Sequence, residues 1–323
     1  MKEPLLSILI PVYGVERWIE RCAVSLFEQD YENIEYIFVN DCTKDNSIGI
    51  LNDVIARYPN RAAQVRILHH EKNRGLAAAR NTAFDAASGE YIRIVDSDDF
   101  IPSNSCSLLV NAILATNSDV VIGGYRTLLP EGRETVSLPS PVNERTLKKR
   151  LCGIIPPAMW ACIFTRRLFV ENGFRWVEGI NLSEDFMMMN RLLLIAKAHI
   201  IGDVVYNYDL TQTRDFSIIY AGHIRQMTQS ALEVWKYYQS TVFFSKYRKI
   251  LELSLINPLR EEHKSKIKDG YVWSDYYMVE PKLSRNTKFL AYLLRNDFLF
   301  LFGDFAYRLY RASLFFSSNV QDD

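Results

Sequence analysis

The sequence predicts an α/β protein with a doubly wound, mostly parallel sheet flanked by helices and followed by a helical C-terminal region. Over residues 1–125, short β-rich apolar runs alternate with segments whose apolar residues recur at helical spacing. Such alternation implies parallel strands joined by right-handed crossovers. From about residue 221 the pattern becomes helical, aromatic and basic. We therefore expect two domains, 1–220 and 221–323.

The predicted elements follow one another closely up to residue 125. The predicted strands are Leu5–Val12, Ile34–Val39, Val65–Leu68, Tyr91–Val95 and Val120–Ile122. The predicted helices are Glu16–Gln29, Asn46–Tyr58, Leu76–Ala87 and Ser103–Thr116. Prolines and charges indicate a loop over residues 126–150, after which we expect a helix over Phe186–Ala196 and a strand over Val204–Tyr208.

The balance of charge argues against a nucleic-acid-binding protein. Of 323 residues, 38 are Lys or Arg and 38 are Asp or Glu, so the charges of the chain cancel. The five cysteines are an odd number without a CxxC pair, which is typical of reduced thiols rather than of a disulfide framework or a zinc site. Residues 1–4 lack the basic start of a signal peptide. We therefore expect a cytoplasmic protein with no nucleic-acid partner.

The C-terminal region is aromatic and basic. Residues 221–323 contain 15 Lys or Arg against 11 Asp or Glu. The most apolar stretch, Phe289–Phe316, is interrupted by charges and lacks the ~18 uninterrupted apolar residues that a membrane helix needs. Two interpretations stand, a helical core or peripheral contact with the inner face of a membrane. The aromatic residues in question are Phe289, Tyr292, Phe298, Phe300, Phe302, Phe305, Tyr307, Tyr310, Phe315 and Phe316.

An acidic turn, Asp96-Ser97-Asp98-Asp99, directly follows the predicted strand Tyr91–Val95. Ligands of doubly wound sheets bind outside the carboxyl ends of the strands, where this turn is expected to lie. Three carboxylates within four residues repel one another unless a positive charge lies among them. Mg²⁺ or Mn²⁺ bound together with phosphate oxygens would supply that charge. The plainer interpretation is an acidic turn in which Asp99 caps the next helix.

Two further segments lie at predicted strand ends or helix starts. Val39–Ser47 ends the second strand; its Asx and Ser/Thr residues would cap the next helix, and Asn40 could in addition bind a nucleobase edge through its amide. Asn73–Asn81 opens a helix in which Gly75 allows a tight entry. Arg80, on the same helix, either meets a phosphate or forms a solvent salt bridge.

Ser183-Glu184-Asp185 precedes a predicted helix and has two interpretations. In the first, a serine or aspartate caps the helix. In the second, one carboxylate acts as a general base toward an acceptor hydroxyl. The sequence contains no GxGxxG, GxxxxGK[ST], HExxH or GxSxG motif. Nicotinamide dehydrogenases, P-loop enzymes, zincins and hydrolases with a nucleophile elbow are therefore disfavoured.

Taken in order, these motifs resemble those of the GT-A fold family 2 glycosyltransferases, which move sugars from nucleotide donors. The resemblance covers residues 5 to about 217, two thirds of the chain. The matching segments are Ser7–Tyr13, Asn40–Asp45, Asn73–Asn81, Asp96–Asp99 and Ser183–Asp185. The resemblance implies an inverting, metal-dependent enzyme that transfers one sugar, preferably from a UDP-sugar, to a saccharide or lipid-linked acceptor in cell-surface polysaccharide biosynthesis.

The resemblance also implies how the nucleotide is bound. Pro11, Val12 and Tyr13 would line the base pocket, and Asn40 would contact the nucleobase. Arg80 would support the nucleotide. The family's usual residue at the Asn40 position is Asp, and an Asn there can still accept a hydrogen bond from a uracil N3–H and donate one to O4.

The remaining implied roles concern the sugar and the reaction. Asp96 would face the ribose or the donor sugar, and Asp98 would hold Mg²⁺ or Mn²⁺. Asp185 would be the catalytic base, with Glu184 beside it helping to place the acceptor. Trp160 would form an apolar wall for a sugar ring.

Two other functions remain open at this point. A sugar-phosphate nucleotidyltransferase has a related fold, although residues 13–16 do not resemble its Gly- and Arg-rich phosphate loop. A non-catalytic relative that only binds a nucleotide-sugar is the second, and the presence of both Asp98 and Asp185 argues against it. The QxxRW motif of processive synthases is missing, which favours single additions.

Overall fold

A computed structural model of the chain describes residues 3–211, 216–265, 280, 283–295 and 299–316. These residues form two compact units. The first comprises the described residues within 1–142, 158–181 and 195–213, and the second comprises those within 143–157, 182–194 and 214–323. The second unit thus takes in two segments that precede residue 220. The domain boundary predicted there stays a prediction.

The first unit is built on one mixed sheet in the order β3-β2-β1-β4-β7-β5-β6, with β8 along the other side of β5. The strands are β1 (Leu6–Val12), β2 (Ile34–Asn40), β3 (Val65–His69), β4 (Tyr91–Ile94), β5 (Val120–Leu128), β6 (Glu134–Ser137), β7 (Cys162–Thr165) and β8 (Ala198–Asp209). The pairs β1/β2, β2/β3, β1/β4 and β5/β8 are parallel. The predicted doubly wound, mostly parallel α/β fold is confirmed.

Helices connect and cover these strands. Those of the first unit are α1 (Ile19–Phe27), α2 (Ser47–Arg57), α3 (Pro59–Ala62), α4 (Leu76–Ala86), α5 (Ser105–Thr116) and α7 (Arg166–Glu171). Those of the second unit are α6 (Glu144–Leu151), α8 (Glu184–Ile195), α9 (Phe216–Gln239), α10 (Phe244–Ser265), α11 (Arg285–Arg295) and α12 (Phe300–Phe316).

The core of the first unit forms around β1, whose seven residues are all buried. A central parallel strand is covered on both faces, which explains why its sequence is apolar except for Ser7 rather than alternating. Phe27 of α1 packs edge-on against Tyr36 of β2 at 5.2 Å between ring centroids. Phe84 of α4 packs against Phe169 of α7 at 5.3 Å.

The structure differs from the sequence-based prediction beyond residue 120. Strand β7 inserts between β4 and β5 and runs antiparallel to both. The predicted loop 126–150 is wrong in part, because it contains the end of β5, β6 and α6. Its prolines fall between these elements rather than within them: Pro130 opens a short 3₁₀ turn, and Pro139 and Pro141 precede α6.

The second unit is helical in its described parts. Its α10 contains Pro258, which lacks an N–H and so leaves one carbonyl of the preceding turn without a helical partner. Among the residues that the structure describes, no helix is both long enough and apolar enough to cross a membrane.

Candidate functional site

The carboxyl ends of β1, β2 and β3 bring several predicted residues to one edge of the sheet. Val12 lies beside Asn40, and Asn40 lies beside His69. Pro11 and Val12 are buried, whereas the next residue, Tyr13, exposes 51% of its surface. Of the three predicted base-pocket residues, Tyr13, directly after β1, is therefore the one with an exposed side chain.

Asn40 uses each end of its amide within the protein. Its Oδ1 accepts a hydrogen bond from the Thr43 N–H at 2.9 Å, and its Nδ2 lies 3.1 Å from Nδ1 of His69. A primary amide has two N–H groups and two lone pairs, so one of each remains for a further partner. Asn40 is half-exposed and can still bind a nucleobase edge.

Asp45 clamps the loop after β1 to the start of α2. Its carboxylate accepts hydrogen bonds from Ser47 Oγ at 2.5 Å, Thr43 Oγ1 at 2.7 Å and the Glu16 N–H at 3.0 Å. Thr43 Oγ1 in turn accepts one from the Gly14 N–H at 2.9 Å. Burial alone would raise the pKa of Asp45, but these hydrogen bonds outweigh it and lower the pKa to about 2.

A buried Asp–His pair holds the loop before α4. Asp41 accepts hydrogen bonds from the Arg74 N–H at 2.8 Å and the Gly75 N–H at 2.7 Å. Nδ1 of His70 lies 2.7 Å from the same carboxylate, and Nε2 of His70 lies 2.9 Å from Thr82 Oγ1. The His70 side chain is 5% exposed and the Asp41 side chain 4%. The position of this loop thus depends on the buried carboxylate of Asp41.

Arg80 is buried inside the unit rather than exposed as a phosphate ligand. Its guanidinium donates to Asp96 Oδ1 at 2.9 Å, and its side chain is 1% exposed against 25% for Asp96. The cation offsets the repulsion among the carboxylates of the acidic turn. Any contribution of Arg80 to donor binding therefore acts through Asp96.

Three residues outside the sequence motifs, Arg21, Tyr206 and Asp209, hold the buried end of the acidic turn. Tyr206 Oη donates to Asp99 Oδ2 at 2.8 Å, and the Asp209 N–H donates to Asp99 Oδ1 at 2.8 Å. Arg21 donates to the carbonyl of Asp98 at 3.2 Å and pairs with the Asp209 carboxylate at 2.6 Å. Burial, and then the neighbouring carboxylates, raise the pKa of Asp99 well above its ordinary value, opposed by the two hydrogen bonds.

The donor set of the turn fits a hard divalent cation. Asp96 and Asp98 are half-exposed carboxylates at the ligand edge of the sheet, and oxygen is the donor that Mg²⁺ and Mn²⁺ prefer. Within the described ranges, no three His, Cys, Asp or Glu side chains converge on a site that could hold a metal ion. Such a cation would therefore need phosphate oxygens and water to complete its coordination.

Trp160 belongs to an aromatic cluster beside the acidic turn. Its ring lies 4.4 Å from that of Tyr206, stacks on Tyr208 at 5.4 Å and meets Tyr125 edge-on at 4.7 Å. Tyr206 is also the residue that hydrogen-bonds Asp99. Trp160 itself is half-buried.

Glu184 and Asp185 lie in the second unit, in the first turn of α8, and are 7% and 9% exposed. Ser183 before them has φ +69°, a left-handed backbone that a serine rarely adopts. A cavity of about 80 Å³ in this unit has Ser183 and Phe186 in its lining, one on each side of the acidic pair along the chain. Neither carboxylate is in the lining of that cavity, so the role of Asp185 and Glu184 toward an acceptor stays a prediction.

Sequence reasoning missed Arg21, His70, Tyr206 and Asp209. The hydrogen bonds that join them to Asp41, Asp98 and Asp99 span 29 to 110 positions of the chain, so no local motif marks them. The sequence signal nearest to these residues is the predicted strand Val204–Tyr208, whose tyrosines indicate a strand but not a role at the acidic turn.

Comparison with known proteins gives consistent matches. The family described as glycosyl transferase family 2 matches residues 7–174. An uncharacterized glycosyltransferase, EpsJ of Bacillus subtilis, is 34% identical over 190 residues, which are 56% of this chain and 54% of the relative. The chain thus spans about half the length of that relative.

Two solved structures share the fold. S. aureus TarS 1–349 in complex with UDP-GlcNAc has a TM-score of 0.69 at 18% identity, covering 94% of this chain and 92% of that one. A mannosyltransferase from Pyrobaculum calidifontis in complex with GDP-Man and Mn²⁺ has a TM-score of 0.59 at 16% identity, covering 97% and 87%. At these identities the likeness is one of fold alone.

Proposed function

The chain belongs to glycosyl transferase family 2, and from that premise we propose that it is an inverting, metal-dependent glycosyltransferase. It moves one sugar from a nucleoside-diphosphate donor, a UDP-sugar first of all, to a hydroxyl of a saccharide or lipid-linked acceptor in cell-surface polysaccharide biosynthesis. The reaction takes place in the cytoplasm. All five cysteines lie in the described residues and none is in a disulfide, which supports that compartment.

The main support for this proposal is the position of the acidic turn after β4. Its two half-exposed carboxylates, Asp96 and Asp98, stand at the carboxyl edge of the sheet, where ligands of such sheets bind. Arg80 and Tyr206 fix the turn from the buried side. Two partly exposed carboxylates at this edge offer the oxygen donors that a diphosphate–cation complex needs.

The neighbouring strand ends supply the nucleotide contacts. We assign Tyr13 to the face of the base and Asn40 to its hydrogen-bonding edge, with the buried Pro11 and Val12 forming the floor behind them. Asp96 binds the ribose or the donor sugar. The UDP-GlcNAc complex of TarS supports a uridine donor, and the GDP-Man complex of the mannosyltransferase makes guanosine the alternative to test.

Asp98 is the residue that would hold Mg²⁺ or Mn²⁺ together with the donor. When bound, the cation supplies positive charge against the negative charge that develops on the departing nucleoside diphosphate. The Mn²⁺ in the mannosyltransferase complex supports this assignment.

We assign the role of catalytic base to Asp185, in the first turn of α8. Asp185 takes the proton of the acceptor hydroxyl while that oxygen attacks the anomeric carbon, and the bond to the diphosphate oxygen breaks. The diphosphate leaves with the bonding electron pair. Glu184 positions the acceptor, and Trp160 offers an apolar surface to a sugar ring. A single displacement of this kind inverts the anomeric centre.

Product analysis with an Asp185 variant tests the mechanism. UDP-GlcNAc is supplied with Mn²⁺ and a panel of alkyl glycosides, UDP release is followed, and the product's anomeric configuration is read by NMR. We expect inversion, and in Asp185→Asn a loss of turnover of about 10²–10⁴-fold with unchanged donor affinity. The control Asp203→Asn changes an exposed carboxylate of β8 and should be fully active. Retention of configuration, or an active Asp185→Asn variant, would refute the assignment.

A further inference from the structure

Helices α11 and α12 expose a set of large apolar side chains. We call them the C-terminal apolar face. Its members and their exposed fractions are Phe289 (60%), Tyr292 (57%), Leu301 (83%), Phe302 (62%), Phe305 (59%) and Leu309 (56%). Phe298, one of the aromatic residues noted in the sequence, lies outside the described residues. A face of six large apolar side chains on two consecutive helices marks an interaction surface.

Both helices also have a well-packed opposite side, so this exposure does not come from loose packing. Leu290 and Leu294 of α11 and Tyr307 of α12 are buried. A Cβ on Gly303 would lie 2.9 Å from Leu293, so the two helices are in close contact there. On α12, Leu301, Phe305 and Leu309 recur every four residues and thus form one stripe. Each helix is amphipathic with its second apolar side toward solvent.

The charged residues of α11 and α12 are mostly basic. In sequence, α11 and α12 contain Arg285, Lys288, Arg295, Arg308 and Arg311. Asp304, their one acidic residue, is buried between Arg260 and Arg308. Arg285 is exposed and Lys288 half-exposed beside Phe289. A partner must therefore bring apolar surface and negative charge together.

We propose that the C-terminal apolar face docks the protein on an anionic phospholipid membrane, with α11 and α12 lying in the interface. Aromatic and leucine side chains enter the headgroup boundary, and the flanking cations pair with lipid phosphates. A symmetric contact between two copies is disfavoured, because it would bring the same basic flank against itself. The docking does not depend on the proposed transfer reaction, but it would bring the enzyme to a lipid-linked acceptor.

Vesicle co-sedimentation of the full chain tests this docking. One vesicle preparation is phosphatidylcholine, and the other contains equal amounts of phosphatidylcholine and phosphatidylglycerol. We expect binding to the mixed vesicles only. Arg285→Gln with Lys288→Gln should weaken it about 25-fold at low salt, at roughly fivefold for each charge removed. Phe302→Ser with Phe305→Ser should abolish it. The control Val242→Ser changes an 89% exposed apolar residue outside the face and should bind as the wild type does.

Several results would overturn the docking. Equal binding to both vesicle types, no binding to either, or Phe302→Ser/Phe305→Ser binding like the wild type would each do so. A dimer that these serine changes dissociate would assign the face to a second copy instead. Calorimetric titration of each variant with UDP and Mn²⁺ keeps the two proposals separable, since failure of docking leaves donor binding intact.

Discussion

At the scale of single residues, the site depends on buried groups that never reach the ligand. Asp41 holds the loop before α4 because its two carboxylate oxygens accept hydrogen bonds from backbone N–H groups of that loop. One of these oxygens also contacts His70. Arg80 places Asp96 in the same indirect way. These are positioning residues, and their effect on donor binding comes through the backbone or carboxylate that they hold.

The two adjacent histidines give a matched pair to test this view. His70→Gln removes a buried bridge between Asp41 and Thr82, so we expect it to lower the free energy of unfolding by about 1–3 kcal/mol. Donor affinity should fall with it, because Asp41, which holds the Arg74–Gly75 loop, loses a partner that fixes its carboxylate. His69 is exposed and contacts Asn40 alone among these groups. His69→Gln should therefore cost less than about 0.5 kcal/mol. Urea unfolding and UDP titration measure both effects, and equal losses in the two variants would contradict the assignment.

At the scale of elements, a close contact between Gly75 and the side chain of Asn181 fixes the start of α4. Gly75 has φ +87°, and a Cβ there would lie 2.5 Å from Nδ2 of Asn181. Asn181 is not free to retreat, because its Oδ1 accepts the Ala77 N–H at 3.1 Å and so caps the helix. The sequence predicts the tight entry at Gly75, but the residue that crowds it, Asn181, is more than a hundred positions away.

A substitution at Gly75 should therefore cost more than backbone strain alone. We expect Gly75→Ala to destabilise the fold by about 2 kcal/mol, from left-handed strain plus a displaced cap. Gly179 has a similar φ of +90° with open space around its Cβ position. Gly179→Ala isolates the strain, at about 1 kcal/mol. Denaturant unfolding of both variants measures the difference, and equal losses would show that Asn181 moves away freely.

The start of α2 gives a pH-dependent test. Asp45 has a folded-state pKa of about 2, below its ordinary value near 4, so its stabilisation is full above about pH 4 and disappears as pH falls through about 2. Its partial exposure limits that stabilisation to about 1–2 kcal/mol. Asp45→Asn should thus lose stability at pH 7 and converge with the wild type on acidification. Asp53→Asn, on the exposed side of the same helix, should match the wild type at every pH. A pH-independent deficit in Asp45→Asn would refute the clamp.

At the scale of the whole molecule, local patterns predicted the parallel half of the sheet and the motifs at its edge. Strands β1 to β4 and helices α1, α2, α4 and α5 match their predicted ranges to within three residues at each end. The antiparallel half was not predictable in the same way, since β7 pairs with β4 across some seventy residues of chain. Long-range pairing, rather than periodicity, decides that position.

At the candidate site too, local patterns predict some features, whereas long-range contacts decide others. Asn40, Asp96 and Asp98 lie at the strand ends where the sequence places them. Arg80 follows the right motif but is buried, because the helix turns it toward Asp96 rather than toward solvent. The distribution of charge also differs between the whole chain and its parts. The chain is neutral, yet acidic residues gather at the proposed donor site and basic ones around the C-terminal apolar face.

Calorimetric titration of the full chain with UDP, with and without Mn²⁺ and repeated with GDP, tests whether the protein binds a nucleoside-diphosphate donor. We expect UDP to bind only with Mn²⁺, Asp98→Asn to lose that binding, and Asp203→Asn to keep it. UDP binding by Asp98→Asn with full metal dependence, or binding of neither nucleotide by the wild type, would contradict the donor site described here.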